Sequence, residues 1–313
     1  MSVLVVGSVA LDNVRTPFGE VENALGGSCS YVSTAISYFS DPSIVGVVGQ
    51  DFPQEHIELF KRRGINTAGL EVNEGGKTFH WTGYYEYDMN QAHTVDTQLN
   101  VFADFNPQVP ADLRRSRCVM LGNLDPELQL KVLDQLESPE LVMADTMNFW
   151  ISSKRDALIE VIKRCDVMLM NDAEARQLCD TASLQQAAKQ LMALGVKRVI
   201  IKKGEHGCLM FSNGNYFSAP AFPLEVVRDP TGAGDTFAGG FIGFLSRSTE
   251  LSEDIYRQAV IVGTTMASFT VEKFSLDRLA HLEPAEITQR CAQLRRHTEF
   301  PQIEIDVRET ANT

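Results

Sequence analysis

Val3-Leu4-Val5-Val6-Gly7 opens the chain as an unbroken apolar run, mostly β-branched, that stops at a glycine. A half-buried strand alternates apolar with polar residues, whereas a run with no polar position fits a strand covered on both faces, as in a parallel sheet. Comparable runs return at Ile44 to Val48, Cys118 to Leu121, Leu141 to Ala144, Val167 to Met170 and Val199 to Ile201, most pairs separated by helical periodicity. That alternation predicts an α/β doubly wound sheet. Helix ends are legible too. Asp51 and Pro53 open a helix that Gly64 closes, and Ser183 opens one that runs through Leu191 and stops before Gly195. Further helices are predicted over Gly234 to Leu245, Ser252 to Phe269 and Pro284 to His297, with a strand-turn-strand at Asn213-Gly214.

One region breaks the rhythm. From Lys77 to Phe105 the chain carries Phe79, Trp81, Tyr85 and Tyr87 on one parity and Thr78, His80, Thr82 and Tyr84 on the other. This pattern predicts antiparallel strands, and Arg15 to Ala24 is a second short segment able to pair with them. Together they read as a small β appendage on the sheet domain. No Pro/Ser-rich linker, repeat or low-complexity tract divides the chain, so one domain over 1–313 is expected, with appendage strands from about 15–24 and 77–105.

Composition narrows the function. The 313 residues carry 28 Lys+Arg against 41 Asp+Glu, a net charge of −13, which argues against a broad basic surface for nucleic acid or anionic lipid. A polyanionic ligand then needs a local binding device. Six scattered cysteines without a C-x-x-C pair match reduced thiols, and the six histidines show no zinc spacing. No apolar run reaches the roughly 18 residues of a membrane span, and the start lacks the basic lead-in of a signal peptide; the expected location is the cytoplasm. Two nucleotide-binding motifs fail. Glu74-Gly75-Gly76-Lys77-Thr78 imitates the end of a P-loop, but Glu71 stands where its first glycine belongs, and Gly7 to Asp12 lacks the G-x-G-x-x-G of a dinucleotide fold.

The local device is Asp229-Pro230-Thr231-Gly232-Ala233-Gly234-Asp235-Thr236-Phe237-Ala238-Gly239-Gly240-Phe241. Glycines at a loop-to-helix junction leave backbone N–H groups bare, so the helix start can hold an anion without a basic side chain. Asp235, in the first turn, sits where a carboxylate can take the proton of an attacking hydroxyl. Taken alone, a G-x-G-D is equally a turn whose aspartate complements the helix dipole. Gly239 and Gly240 inside the helix imply a close approach on that face.

The whole stretch resembles, position by position, the second signature of the PfkB/ribokinase family of carbohydrate and nucleoside kinases, and the similarity of organisation extends over nearly the whole chain. The resemblance implies a ribokinase-like three-layer α/β/α sandwich with a mostly parallel central sheet and a small β lid. It assigns Asp235 as catalytic base and the amides of Gly232, Ala233 and Gly234 to charge on the transferring phosphoryl group. The family's first signature is matched in part by Gly26-Gly27 before a helix over Ser28 to Phe39, with Ser33 and Ser40 on small-residue positions; Tyr31 stands where the family has asparagine, and Cys29 where it has a small residue. Gly26, Gly27 and the residue at position 31 fall on the acceptor side. So does Asp12, just beyond the first strand, whose carboxylate can accept two hydroxyl protons.

Asn171-Asp172-Ala173-Glu174 reads by itself as an N-x-x-E capping box; in the family such a glutamate also orders Mg²⁺ through water. Lys202-Lys203-Gly204-Glu205-His206-Gly207 resembles the nucleotide loop, with Lys203, Gly204 and Gly207 on ATP, or else is a tight turn with two solvated lysines. Thr231 falls on the nucleotide side. Asn123, placed with the acceptor, and Asp145 with Asn148 also end strands on the ligand side. Val262 to Ser275 would border the adenine pocket and, in several relatives, a monovalent-cation (K⁺) site. The implied activity is ATP- and Mg²⁺-dependent phosphorylation of an alcohol group on a sugar or sugar derivative. A nucleoside, stacked by Tyr31 and the lid aromatics, is the alternative acceptor, and a non-catalytic nucleotide or sugar sensor is the other alternative. Lids of this kind also imply pairing between two copies.

Overall fold

In β1 (Ser2–Val6), Val3 and Val5 point into one core while Leu4 and Val6 point into another, and all four are fully buried. This two-sided burial explains why the strand carries no polar position. The computed structural model describes residues 2–299 and 301–304, so positions 1, 300 and 305–313 of the expected span lie outside the described residues. After β1 come β2 (Ala10–Thr16), β3 (Gly19–Gly26), α1 (Ser28–Ile36), β4 (Asp41–Gly49), α2 (Gln54–Arg62) and β5 (Asn66–Asn73). The middle of the chain holds β6 (Phe79–Tyr85), β7 (Ala92–Gln98), β8 (Cys118–Leu121), α3 (Pro126–Leu133), β9 (Leu141–Ala144), α4 (Asn148–Ser153) and α5 (Arg155–Arg164). There follow β10 (Val167–Asn171), α6 (Asp172–Cys179), α7 (Leu184–Ala193), β11 (Arg198–Lys202), β12 (Cys208–Ser212) and β13 (Asn215–Ala219). Three helices close the described chain: α8 (Ala233–Ser246), α9 (Glu253–Thr270) and α10 (Pro284–Thr298).

The main sheet has nine strands in the order β13-β12-β11-β10-β9-β8-β1-β4-β5. All pairings are parallel except those of β12 with β11 and β13, the strand-turn-strand anticipated at Asn213-Gly214. One face packs against α1, α8, α9 and α10 through residues such as Phe241, Phe269 and Ile287. The other packs against α3, α5, α6 and α7 through Leu133, Leu158, Leu178 and Leu191. These are the three layers of the α/β/α sandwich that the resemblance implies. From β1 the order runs to β4 and β5 on one side and to β8 through β11 on the other, so the direction reverses between β1 and β8. In open α/β sheets, ligands bind outside the carboxyl ends at such a reversal. Gly7 and Gly122 stand there, and both must be small because a Cβ would come 2.5 and 2.6 Å, respectively, from Ser28 Oγ.

The second sheet has the order β3-β2-β6-β7, with β2 and β6 parallel and the other pairings antiparallel. Its strands outrun the expected limits at one end, since β2 starts at Ala10 and β3 runs to Gly26; at the other, 100–104 is a 3-10 helix. Asp12 pairs with Trp81, so both side chains leave this sheet on the same side, as does Tyr85 four residues along β6. The P-loop-like segment Glu74 to Thr78 joins β5 to β6 and starts no helix. In α8 the interior glycines serve helix packing: a Cβ at Gly239 would lie 2.4 Å from the Val32 carbonyl of α1, and one at Gly240 would lie 2.8 Å from Met266 Cγ of α9.

Candidate active site

The loop before α8 is shaped by Asp229, which is 1 % exposed. Its Oδ1 accepts the Thr231 N–H at 2.9 Å and its Oδ2 accepts the Ser275 N–H at 3.2 Å, tying the loop to the segment after α9. Gly232 then adopts φ +74°, the left-handed conformation a β-carbon resists, and caps α8. The Gly232 and Gly234 N–H groups have no partner among the described residues, as expected of an anion cradle. Ala233 differs from expectation: its N–H closes a turn on the Pro230 carbonyl at 3.1 Å. Asp235 occupies the first turn of α8 with its side chain partly open. Burial pushes its carboxyl up to about 7, with Asp145 adding repulsion and Lys202 offsetting it. A carboxylate so raised is suited to accept a proton near neutral pH.

Asp12 lies within β2 and is 6 % exposed, so the loop position expected of it gives way to a strand position facing the cleft. Burial first, then Asp229 and Asp235, raise its carboxyl to about 8. Gly26 makes room for it, since a Cβ there would lie 1.9 Å from Asp12 Oδ2. Gly27, at φ +88°, caps α1, and a Cβ there would meet the Ser8 carbonyl at 2.4 Å. Tyr31 is 2 % exposed, with its ring over Gly232: a Cβ at Gly232 would come within 2.4 to 2.5 Å of three ring atoms. Burial holds its phenol well above the usual value, with Asp229, Asp12 and Asp235 adding to the shift, so the hydroxyl stays protonated. It makes no hydrogen bond among the described residues. A ring held this way packs the loop from below and offers no open face to a base. The stacking expected of Tyr31 therefore does not fit its position, while its hydroxyl remains among the acceptor-side carboxylates.

Asn171 and Glu174 form the reciprocal capping box, with N···O distances of 2.8 and 2.7 Å. Glu174 also turns inward. Burial raises its carboxyl to about 7, with Lys202 lowering and Asp145 raising it, so one residue caps α6 and faces the cleft. Among the described residues no group of three His, Cys, Asp or Glu side chains stands ready for a metal. Mg²⁺ fits such a site when nucleotide phosphates and water supply most ligands and one carboxylate the rest, the place Glu174 offers. Gly204 at φ +55° and Gly207 at φ +82° bracket a 3-10 turn, and a Cβ at Gly207 would come 2.0 Å from the Ala219 carbonyl. A Cβ at Gly204 would meet Asn90 Oδ1 of the β6–β7 turn at 2.2 Å, so the small sheet reaches this loop. Near the other edge of the cleft, Tyr85 Oη lies 3.3 Å from Thr231 Oγ1. Asn123 is already engaged, accepting the Trp150 indole N–H at 3.0 Å and donating to Met147 Sδ at 3.1 Å.

The reading of two solvated lysines fails at Lys202, whose ammonium is 2.5 Å from Asp145 Oδ2 in a buried pair. Burial opposes its charge, but Asp145 and Glu174 raise its pKa above the ordinary lysine value. Lys203 makes no side-chain bond among the described residues. Lys202 ends β11 in register with Asn171 at the end of β10, and a charged residue that directly follows an apolar parallel strand is the signal that marks it. Asp145 directly follows β9, and its carboxylate meets the Lys202 ammonium from the neighbouring strand end.

With this geometry in place, the similarity to known proteins is direct. The model of the pfkB family of carbohydrate kinases matches residues 2–280, and the chain belongs to that family. It is 28% identical over 258 residues to the cytidine kinase of Thermococcus kodakarensis, covering 81% of this chain and 91% of that one. It is 26% identical over 286 residues to a nucleoside kinase of Methanothermobacter thermautotrophicus, covering 86% and 89%. The crystal structure of Methanocaldococcus jannaschii nucleoside kinase superposes with a TM-score of 0.76 at 20% identity, covering 93% of this chain and 98% of that one. The chain is thus a kinase with an alcohol group as acceptor. No helix among the described residues is long and apolar enough to cross a membrane.

Proposed function

We propose that this chain transfers the γ-phosphoryl group of ATP to a hydroxyl of a nucleoside. The observation that carries the reading is the head of α8, where Gly232 at φ +74° leaves its own N–H and that of Gly234 free beside Asp235 in the first turn, with the buried Asp12 of β2 on the acceptor side. Asp12 holds acceptor hydroxyls, aided by Gly26 and Gly27. The acceptor oxygen attacks the γ-phosphorus as its proton passes to Asp235; the bond from γ-phosphorus to the bridging oxygen breaks and ADP leaves. The Gly232 and Gly234 amides stabilise the transferring group, and Gly204 and Gly207 let the backbone approach the nucleotide. Magnesium bound with ATP supplies positive charge along the phosphates, and Glu174 holds its water.

A nucleoside is favoured over a free sugar by the cytidine and nucleoside kinases among the relatives and by Trp81, which shares a sheet face with Asp12. The indole N–H is bonded to Thr94 Oγ1 at 3.2 Å and the ring lies across Gly83, leaving an aromatic face as the surface a base meets. The small sheet acts as the lid of a single unit over 1–313. Two copies pair in the cytoplasm through that sheet, where Phe18 and Val95 are exposed. The test is a screen of nucleosides, sugars and sugar acids at fixed Mg·ATP, reading ADP. Nucleosides are expected to give the highest kcat/KM. A sugar turned over faster than every nucleoside overturns the acceptor class, and ligand-induced thermal shifts without ADP overturn the kinase reading in favour of a sensor.

A further inference from the structure

Lys202 is surrounded by more negative charge than it balances. Asp145 Oδ2 is 2.5 Å from its ammonium, and Glu174 and Asp235 are its other acidic neighbours. A Cβ at Gly234 would come 3.1 Å from Lys202 Nζ, which places the ammonium against the first turn of α8, beside the free Gly232 and Gly234 amides. The pair is enclosed, with side chains 19 % and 5 % exposed, and a buried charge keeps its place only when paired. Three carboxylates around one ammonium repel the polyphosphate that the α8 cradle is built to receive. A cation able to hold a carboxylate and a phosphoryl oxygen at once offsets that repulsion, and a lysine ammonium, with three donors on a flexible stem, is such a group.

We propose that Lys202 binds the transferring phosphoryl group, and that Asp145 is the positioning residue that holds its ammonium over α8. The inference rests on the phosphotransfer reading above. No covalent bond to Lys202 forms: the ammonium has three N–H donors, so it keeps its bond to Asp145 and donates another to a phosphoryl oxygen, and the proton stays on nitrogen. The ends of β9, β10 and β11 set the geometry: Asn171 and Lys202 are in register at the carboxyl edge, while Asp145 follows Ala144, which pairs with Met168, so the Lys202 side chain meets Asp145 from about two residues further along the sheet.

The experiment uses the full chain with Lys202→Met, Lys202→Arg, Asp145→Asn and the Met/Asn double variant. Steady-state kinetics are read beside calorimetric ATP binding and melting temperature. Lys202→Met is expected to lower kcat about 10²–10³-fold, as loss of one charge-stabilising donor does, with the acceptor KM held within about threefold. Lys202→Arg recovers part of that loss. Asp145→Asn lowers kcat about tenfold, and the double variant is no slower than Lys202→Met, because a holder has no effect once its lysine is gone. If Lys202→Met does not fold, Asp145→Asn and Lys202→Arg carry the test, both expected to lower kcat while the acceptor KM stays unchanged. A Lys202→Met enzyme within about threefold of the parent kcat overturns the proposal, as do single effects that multiply in the double variant. A parent chain that makes no ADP with any acceptor overturns the phosphotransfer reading instead. In that case ATP affinity decides for Lys202, a loss of about tenfold or more in Lys202→Met supporting it and an unchanged affinity rejecting it.

Discussion

Substituting Gly232 by alanine places two separate strains on one loop. The residue sits at φ +74°, and holding a β-carbon in the left-handed region costs about 1–2 kcal/mol. The new methyl also lands 2.4 to 2.5 Å from three atoms of the Tyr31 ring, which is 2 % exposed and has no free space to turn into. Overpacking of this kind costs about 1–3 kcal/mol, so Gly232→Ala is expected to lose about 2–5 kcal/mol. Only the second part depends on Tyr31. In a Tyr31→Ala background, itself destabilised by about 3–5 kcal/mol, Gly232→Ala retains only the backbone part, and the cycle shows a favourable coupling of about 1–3 kcal/mol. Urea unfolding of the four proteins measures it, with the slope m checked for constancy. Equal costs of Gly232→Ala in both backgrounds mean that Tyr31 does not support the loop, and a total cost under about 1 kcal/mol removes the left-handed cap as well.

Two further expectations concern the site. Gly26→Ala puts a methyl 1.9 Å from Asp12 Oδ2, so it displaces the carboxylate, raising the acceptor KM at least tenfold, by analogy with a misplaced positioning group, while leaving the ATP KM near the parent value; a rise in both alike detaches Asp12 from the acceptor. Asp235 accepts a proton only when ionised, and its carboxyl is raised to about 7, so kcat at saturating acceptor climbs about tenfold per pH unit below that value and levels above it. Asp145→Asn removes a charge that raises the Asp235 pKa and moves the midpoint to lower pH; a midpoint that stays put separates Asp145 from the base.

The central strands were legible because burial on both faces leaves a plain chemical trace: no polar residue is tolerated from Val3 to Val6. β5 left none, because an edge strand with exposed positions accepts the mixed sequence Asn66 to Asn73. α1 ends at Ile36, three residues short of the expected Phe39, since the chain turns there through Phe39 N–H to the Ile36 carbonyl at 2.7 Å. Within the site, residues whose role is local were readable. The capping box of Asn171 and Glu174 and the glycines 232 and 234 act through their own backbone neighbours. The sequence alone points to Lys203 and not to Lys202, because the choice depends on register between β10 and β11, which no single segment encodes. Tyr31 depends likewise on α1 meeting the loop before α8, a contact across two hundred residues of sequence.

Phosphoryl transfer at this site depends most directly on Asp235 as the base. Asp235→Asn keeps the shape of the side chain and removes its proton affinity, so ADP formation with the best acceptor is predicted to fall about 10²–10⁴-fold while ATP binding stays within about threefold of the parent. An Asp235→Asn enzyme that phosphorylates the same acceptor at close to the parent rate contradicts the assignment.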